Sequence, residues 1–129
     1  MPQGTESVLV VEDDPAVRRL ATTVLRDRGY KVDEACDGAE ALVAMGTGAH
    51  FDLVVTDVIM PKMSGKELSD RIRATTPKTK VLFMSGYTDD ALALHGVLEL
   101  EPELLFLEKP FSPGRLARKV RETIDSRER

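Results

Sequence analysis

Apolar runs of strand length alternate along the chain with stretches of helical period, and this alternation predicts most of the architecture. Ser7 to Val11 reads SVLVV, a short continuous apolar run of the kind buried on both faces of a sheet. A helix should follow. Asp14 can cap it, Pro15 suits its first position, and Val17, Leu20, Ala21, Val24 and Leu25 fall on one face. Gly29 ends it, and Lys31 to Ala35 supplies a second strand. Asp37 and Glu40 have the spacing of a capping box that opens a short helix ending near Gly46. Residues 52–56 form a third buried strand that delivers Asp57 at its carboxyl end. Ser64 and Glu67 repeat the capping spacing, with Leu68 and Ile72 on the inward stripe of the helix they open. Residues 80–84 and 104–107 are the fourth and fifth strands. A last helix opens at Ser112-Pro113 and turns Leu116, Ala117, Val120 and Ile124 inward. Residues 89–103 contain Gly96 and Pro102 and predict a short or irregular helix.

Five strands alternating with helices predict an α/β fold, a doubly wound parallel sheet covered on both faces. With 129 residues, 42% hydrophobic and 31% charged, the chain has the size and balance of one soluble domain, residues 1–129 with a core over about 6–125. No apolar run approaches the roughly 18 residues of a membrane helix, and the N-terminus lacks a signal peptide. The expected location is the cytoplasm. Cys36 is the only cysteine, which excludes an internal disulfide and a cysteine-based zinc site; it is expected to be an ordinary, largely buried residue. The net charge of −4 gives no nucleic-acid footprint. Arg115, Arg118, Lys119, Arg121, Arg127 and Arg129 are mixed with Glu122, Asp125 and Glu128, the pattern of a solvated helix face.

Ligands of such sheets bind beyond the carboxyl ends of the strands, and the candidate chemistry falls there. Glu12 and Asp13 follow the first strand and Asp57 ends the third. If those strands are neighbours, three carboxylates converge, and two like charges about 4 Å apart repel by about 4 kcal/mol at an effective dielectric of 20. A hard divalent cation, Mg²⁺ or Mn²⁺, is the natural compensation. Ser85 after the fourth strand can donate to a phosphoryl oxygen, Lys109 after the fifth offers it a cation, and Gly86 leaves room for an incoming group. Each piece has an ordinary alternative. The acids could serve a helix N-terminus, and Ser85-Gly86 and Lys109-Pro110 could be turns. Their fall at successive strand ends favours phosphoryl chemistry. An FMN binder would want a Ser/Thr/Gly-rich first loop instead of Glu-Asp-Asp, and an aspartyl phosphatase would want a second aspartate at position 59, which is Ile.

The strings VLVVEDD, DLVVTDVIMP, FMSGY and FLEKPF resemble, in order and spacing, the signature segments of response-regulator receiver domains of two-component signalling. The resemblance covers residues 6–124. It implies the flavodoxin-like (βα)5 three-layer sandwich with strand order 2-1-3-4-5. It also implies Asp57 as phosphoacceptor, Glu12 and Asp13 as the acidic pocket, Ser85 as switch hydroxyl and Lys109 as essential lysine. The Ile59 carbonyl would complete the metal shell, and the Lys109-Pro110 bond would be cis. Phe106 occupies the position of an aromatic switch, though it could equally be core. Ile59 and Tyr87 flank the site where relatives tune phosphoryl lifetime; both are bulky, which predicts slow dephosphorylation, and Tyr87 could instead meet a partner helix. The implied partner is a histidine kinase or histidine phosphotransfer domain, with no direct nucleic-acid or membrane contact, and the implied state is a monomer or weak dimer. No DNA-binding or enzymatic output domain is expected after the last helix. The opening residues and the stretch from GYTDDALALHGVL onward are similar to the C-terminal receivers of hybrid sensor histidine kinases, so the domain could be the cytoplasmic part of a membrane-bound sensor. A stand-alone regulator is the alternative.

Overall fold

The elements run β1 (Ser7–Val11), α1 (Pro15–Asp27), β2 (Lys31–Ala35), α2 (Gly38–Gly46), β3 (Leu53–Asp57), α3 (Gly65–Thr75), β4 (Lys80–Ser85), β5 (Phe106–Glu108) and α4 (Pro113–Asp125). This computed structural model describes residues 4–48, 50–58, 60, 62–85 and 106–126. The irregular helix expected over 89–103 lies outside the described residues, as do Leu104 and Leu105. All strand pairs are parallel and the sheet order is β2-β1-β3-β4-β5. The fold is therefore the flavodoxin-like, doubly wound α/β arrangement.

Strand side chains alternate between faces, and the alternation sorts the core in two. Val8, Val10, Leu53, Val55, Leu82, Met84 and Leu107 pack with Ala21, Val24 and Leu25 of α1 and Leu116 and Val120 of α4. Their neighbours Leu9, Val11, Val54, Val81 and Phe83 pack with Ala41 of α2 and Leu68 and Ile72 of α3. Near-continuous apolar strands follow from having helices on both sides.

The helix ends follow local rules, and five positions along the chain depart from expectation. Asp14 Oδ1 accepts from the Ala16 N–H at 2.9 Å, and Gly29, at φ 97°, ends the turn after α1. Ser64 and Glu67 form the complete capping box. At α2 the box is only half made. Asp37 accepts from the Glu40 N–H, but the Glu40 carboxylate accepts from the Cys36 N–H at 2.8 Å, one residue too early. Cys36 is exposed, not buried, because β2 ends at Ala35 and the thiol-bearing residue sits in the turn. Leu20 is 42% exposed, one position off the stripe that buries Ala21, Val24 and Leu25. β3 also begins at Leu53 instead of residue 52, since Asp52 spends its carboxylate and its N–H on the Ser7 main chain. β4 runs one residue further than expected, to Ser85.

Candidate functional site

The alternation of the strands builds the site. Glu12, Asp57 and Lys109 each stand two residues beyond a member of the α1/α4-side core, namely Val10, Val55 and Leu107. They therefore close the carboxyl end of that core. Glu12 and Asp57 are almost fully buried, at 1% and 2% exposure, whereas Asp13 is exposed. Ligand oxygens of Glu12, Asp13 and Asp57 all lie within 4.8 Å of one another. The Lys109 Nζ donates to Asp57 Oδ1 at 2.8 Å and to Glu12 Oε1 at 3.1 Å.

Main-chain bonds hold these residues in place. The Glu12 N–H donates to the Ala35 carbonyl at 3.1 Å, and Glu12 Oε2 accepts from the Asp14 N–H at 3.1 Å. The Val58 N–H donates to the Met84 carbonyl and the Lys109 N–H to the Ser85 carbonyl. Ser85 thus joins the cluster through its backbone and is itself buried. The Lys109-Pro110 peptide bond is cis. Gly65, the first residue of α3, is a further site residue that the motifs did not single out. A Cβ there would lie 2.0 Å from the Asp57 carbonyl oxygen, so only glycine lets the helix approach the strand end so closely. Glycine disfavours helices, and its place in the first turn of α3 was the available signal. Thr56, buried beside it, donates from Oγ1 to the Asp57 carbonyl at 3.1 Å.

Electrostatics show a site short of positive charge. Burial, reinforced by Glu12, pushes the Asp57 carboxyl up to about 9 against the pull of Lys109. Burial and Glu12 also raise Asp13. Burial works against Glu12 ionisation as well, but its hydrogen bonds prevail and hold it below the usual range. Lys109 is held above the ordinary lysine value because its two carboxylate partners outweigh its burial. One ammonium faces three carboxylates, two of them buried. An all-oxygen donor set that cannot ionise fully by itself fits a hard divalent cation.

Ile59, Gly86 and Tyr87 lie outside the described residues. Phe106 is half-buried, pairs with Phe83 in the sheet register and packs against the α2/α3-side core. Beside the acids opens a cavity of about 550 Å³ lined in part by Asp13, Val17, Leu20, Lys109, Pro110 and Phe111.

Comparison with known proteins agrees with this geometry. Residues 8–121 match the family described as the response regulator receiver domain, and the chain belongs to that family. Over 126 residues, 97% of its length, it is 43% identical to the sensor kinase CckA of Brucella abortus (strain 2308), of which it spans 13%. It is 31% identical over 117 residues to the response regulator receiver protein CpdR of the same organism, covering 95% of that protein. It spans about half the length of the transcriptional regulators it matches, such as ResD of Bacillus subtilis (strain 168) at 50% coverage and 32% identity. Among solved structures, the receiver domain of the hybrid histidine kinase CckA superposes with a TM-score of 0.74 at 36% identity, over 92% of this chain and 99% of that one. Vibrio cholerae CheY4 gives a TM-score of 0.77 at 31% identity, over 93% and 99%. The chain thus combines a receiver fold with an acidic cluster of the kind that serves phosphoacceptor chemistry in two-component regulators.

Proposed function

We propose that Asp57 accepts a phosphoryl group from a phosphohistidine, with Mg²⁺ bound by Asp13, Asp57 and the Ile59 carbonyl and with Glu12 at its edge. The observation that carries this reading is the buried Asp57 carboxylate with the Lys109 ammonium at 2.8 Å and two further carboxylates alongside. When bound, the cation supplies the charge that lets Asp57 ionise and neutralises phosphoryl oxygens. A carboxylate oxygen of Asp57 forms a bond to phosphorus as the P–N bond to imidazole breaks, and the bonding pair leaves with the nitrogen. Lys109 turns from the carboxylates to a phosphoryl oxygen, and the Ser85 hydroxyl donates to another. Gly86 keeps the approach open. That movement is read out by Phe106, while Ile59 and Tyr87 set how long the aspartyl phosphate survives water.

The donor is a histidine kinase or histidine phosphotransfer domain. The similarity to CckA along 97% of the chain favours a receiver within a hybrid sensor kinase; the nearly full-length match to CpdR supports a stand-alone regulator as the second reading. No helix among the described residues is long and apolar enough to cross a membrane, and a cytoplasmic site of action fits a kinase-borne donor. The test is incubation with phosphoramidate or acetyl phosphate, with and without Mg²⁺, read by intact mass. A Mg²⁺-dependent gain of about 80 Da, the mass of one phosphoryl group, is expected, and it should be missing from Asp57→Asn. A gain retained by that variant would move the acceptor elsewhere.

A further inference from the structure

The end of β2 contributes no side chain to the acidic cluster, yet the structure connects it to the site through Arg18. This α1 residue is 20% exposed at its side chain. Its Nη1 donates to the Glu12 carbonyl at 2.7 Å, and its Nε donates to Glu34 Oε1 of β2 at 3.0 Å. Asp13 is the exposed member of the cluster, so its carboxylate must be aimed by its own backbone. Both peptide groups that flank its Cα are tied down. The carbonyl before it accepts from Arg18, and the N–H after it, that of Asp14, donates to the Glu12 carboxylate. With both flanking peptide planes held, the φ and ψ of Asp13 are set before any cation arrives.

We propose that Arg18 is a positioning residue that pre-orients Asp13 for the cation by clamping the Glu12–Asp13 peptide, with Glu34 holding the other edge of its guanidinium. The inference rests on the reading of the cluster as a cation-assisted phosphoacceptor site. Glu34 has a second task. By engaging Nε it keeps the guanidinium facing β2, so Arg18 serves the turn as a main-chain donor and leaves the acids free for the metal. Two edges of one planar fork do this work together, and a lysine, with a single point of charge, cannot reproduce it. Residues that orient metal ligands without touching the ion commonly change metal affinity by 10–100-fold when removed.

The test compares the parent chain with Arg18→Ala, Arg18→Lys and Arg26→Ala. Arg26 is the control because it also reaches Glu34, at 3.8 Å, but bonds the Val32 carbonyl away from the acidic turn. Mg²⁺ affinity is measured by titration calorimetry, and amide hydrogen exchange is followed at Asp13 and Asp14 in metal-free protein, with the Val8–Val11 amides as a check on the fold. Both Arg18 variants should bind Mg²⁺ about tenfold more weakly and exchange faster at Asp13 and Asp14, with β1 protection and Arg26→Ala unchanged. Parent-like affinity and exchange in Arg18→Ala would overturn the proposal. So would full rescue by Arg18→Lys, which would make the effect one of charge alone. A parent chain that binds no Mg²⁺ would instead defeat the reading of the site, and the exchange measurement, which needs no metal, would still decide what Arg18 does.

Discussion

The two ends of the sheet are built on opposite terms. At the amino ends Arg121 and Lys80 each hold their charge against close partners. Arg121 bonds Glu6 at 2.7 Å and Asp125 at 2.8 Å, and this guanidinium draws the Glu6 carboxyl below its usual range. Lys80 caps the last turn of α4 by donating to the Ile124 carbonyl at 2.7 Å and to the Ser126 carbonyl, a favourable place for a cation. The left-handed positions there, φ 97° and 90°, fall to Gly29 and Gly48. At the carboxyl ends, one lysine pairs with two buried acids that stand beside an exposed third, the Asp57 carboxyl is pushed up to about 9, and φ 70° falls to Lys62. One end secures the fold and the other holds charge and strain that folding alone would discard. A site that must bind a cation and an anionic group benefits from an unmet electrostatic demand, and the cost is borne by stability.

The sharpest way to break the contrast is Asp57→Asn. Phosphoryl uptake should disappear, while metal-free protein at pH 7 should gain stability on the order of 2 kcal/mol, because folding no longer has to bind a proton at a buried carboxyl. The same residue gives the pH dependence. Its folded pKa is raised from 3.8 to about 9, so the folded state holds a proton that the unfolded state releases. That contribution is fully present below about pH 4 and is lost as pH rises toward 9. Urea melts in EDTA should show stability falling from pH 5 to 9 in the parent and a much flatter profile in Asp57→Asn. Parallel profiles would mean that the carboxyl end is not under electrostatic stress.

Gly65→Ala, which should impair uptake without abolishing it, strains the same end through packing instead of charge. The new Cβ would meet main chain, the Asp57 carbonyl oxygen at 2.0 Å, and no side-chain rotation can relieve that. A loss of about 2–3 kcal/mol is expected, with phosphoryl uptake impaired in whatever protein still folds. Arg121→Ala tests the amino end. Its ion pairs are about one-quarter exposed at the arginine, so screening limits the loss to about 1 kcal/mol, and uptake at Asp57 should be unchanged. An uptake defect there would show that the two ends are not independent.

The carboxyl end was more legible in the sequence than its chemistry alone would suggest, because strand alternation did the work. Once Val10, Val55 and Leu107 are read as core, Glu12, Asp57 and Lys109 are obliged to project together two residues later. Positions set by a single local preference were read less well. Residue type predicts a buried Cys36, but a turn carries it outward, and the helical period places Leu20 on a stripe that passes one position away. Gly65 and Arg18 escaped for a different reason. Their roles are contacts with the main chain of distant residues, the Asp57 and Glu12 carbonyls, and a one-dimensional pattern carries no trace of such a partner.

The smallest effect refines the comparison in a way charge cannot. Lys62, in the turn between β3 and α3, adopts φ 70° with an exposed side chain. The left-handed conformation costs an L-residue about 1–2 kcal/mol, of which glycine avoids most while losing about 0.5–1 kcal/mol of chain entropy. Lys62→Gly should therefore stabilise by about 0.5 kcal/mol, and Lys62→Ala, which keeps the Cβ and removes the charge, should not. The pair of variants separates backbone strain from electrostatics in urea melts at fixed pH. Equal shifts in both would trace the effect to the ammonium and leave charge as the only stress at this end. A gain confined to glycine would establish that the turn leading from Asp57 to Gly65 stores conformational strain as well, in the segment that has to hold α3 against the strand end.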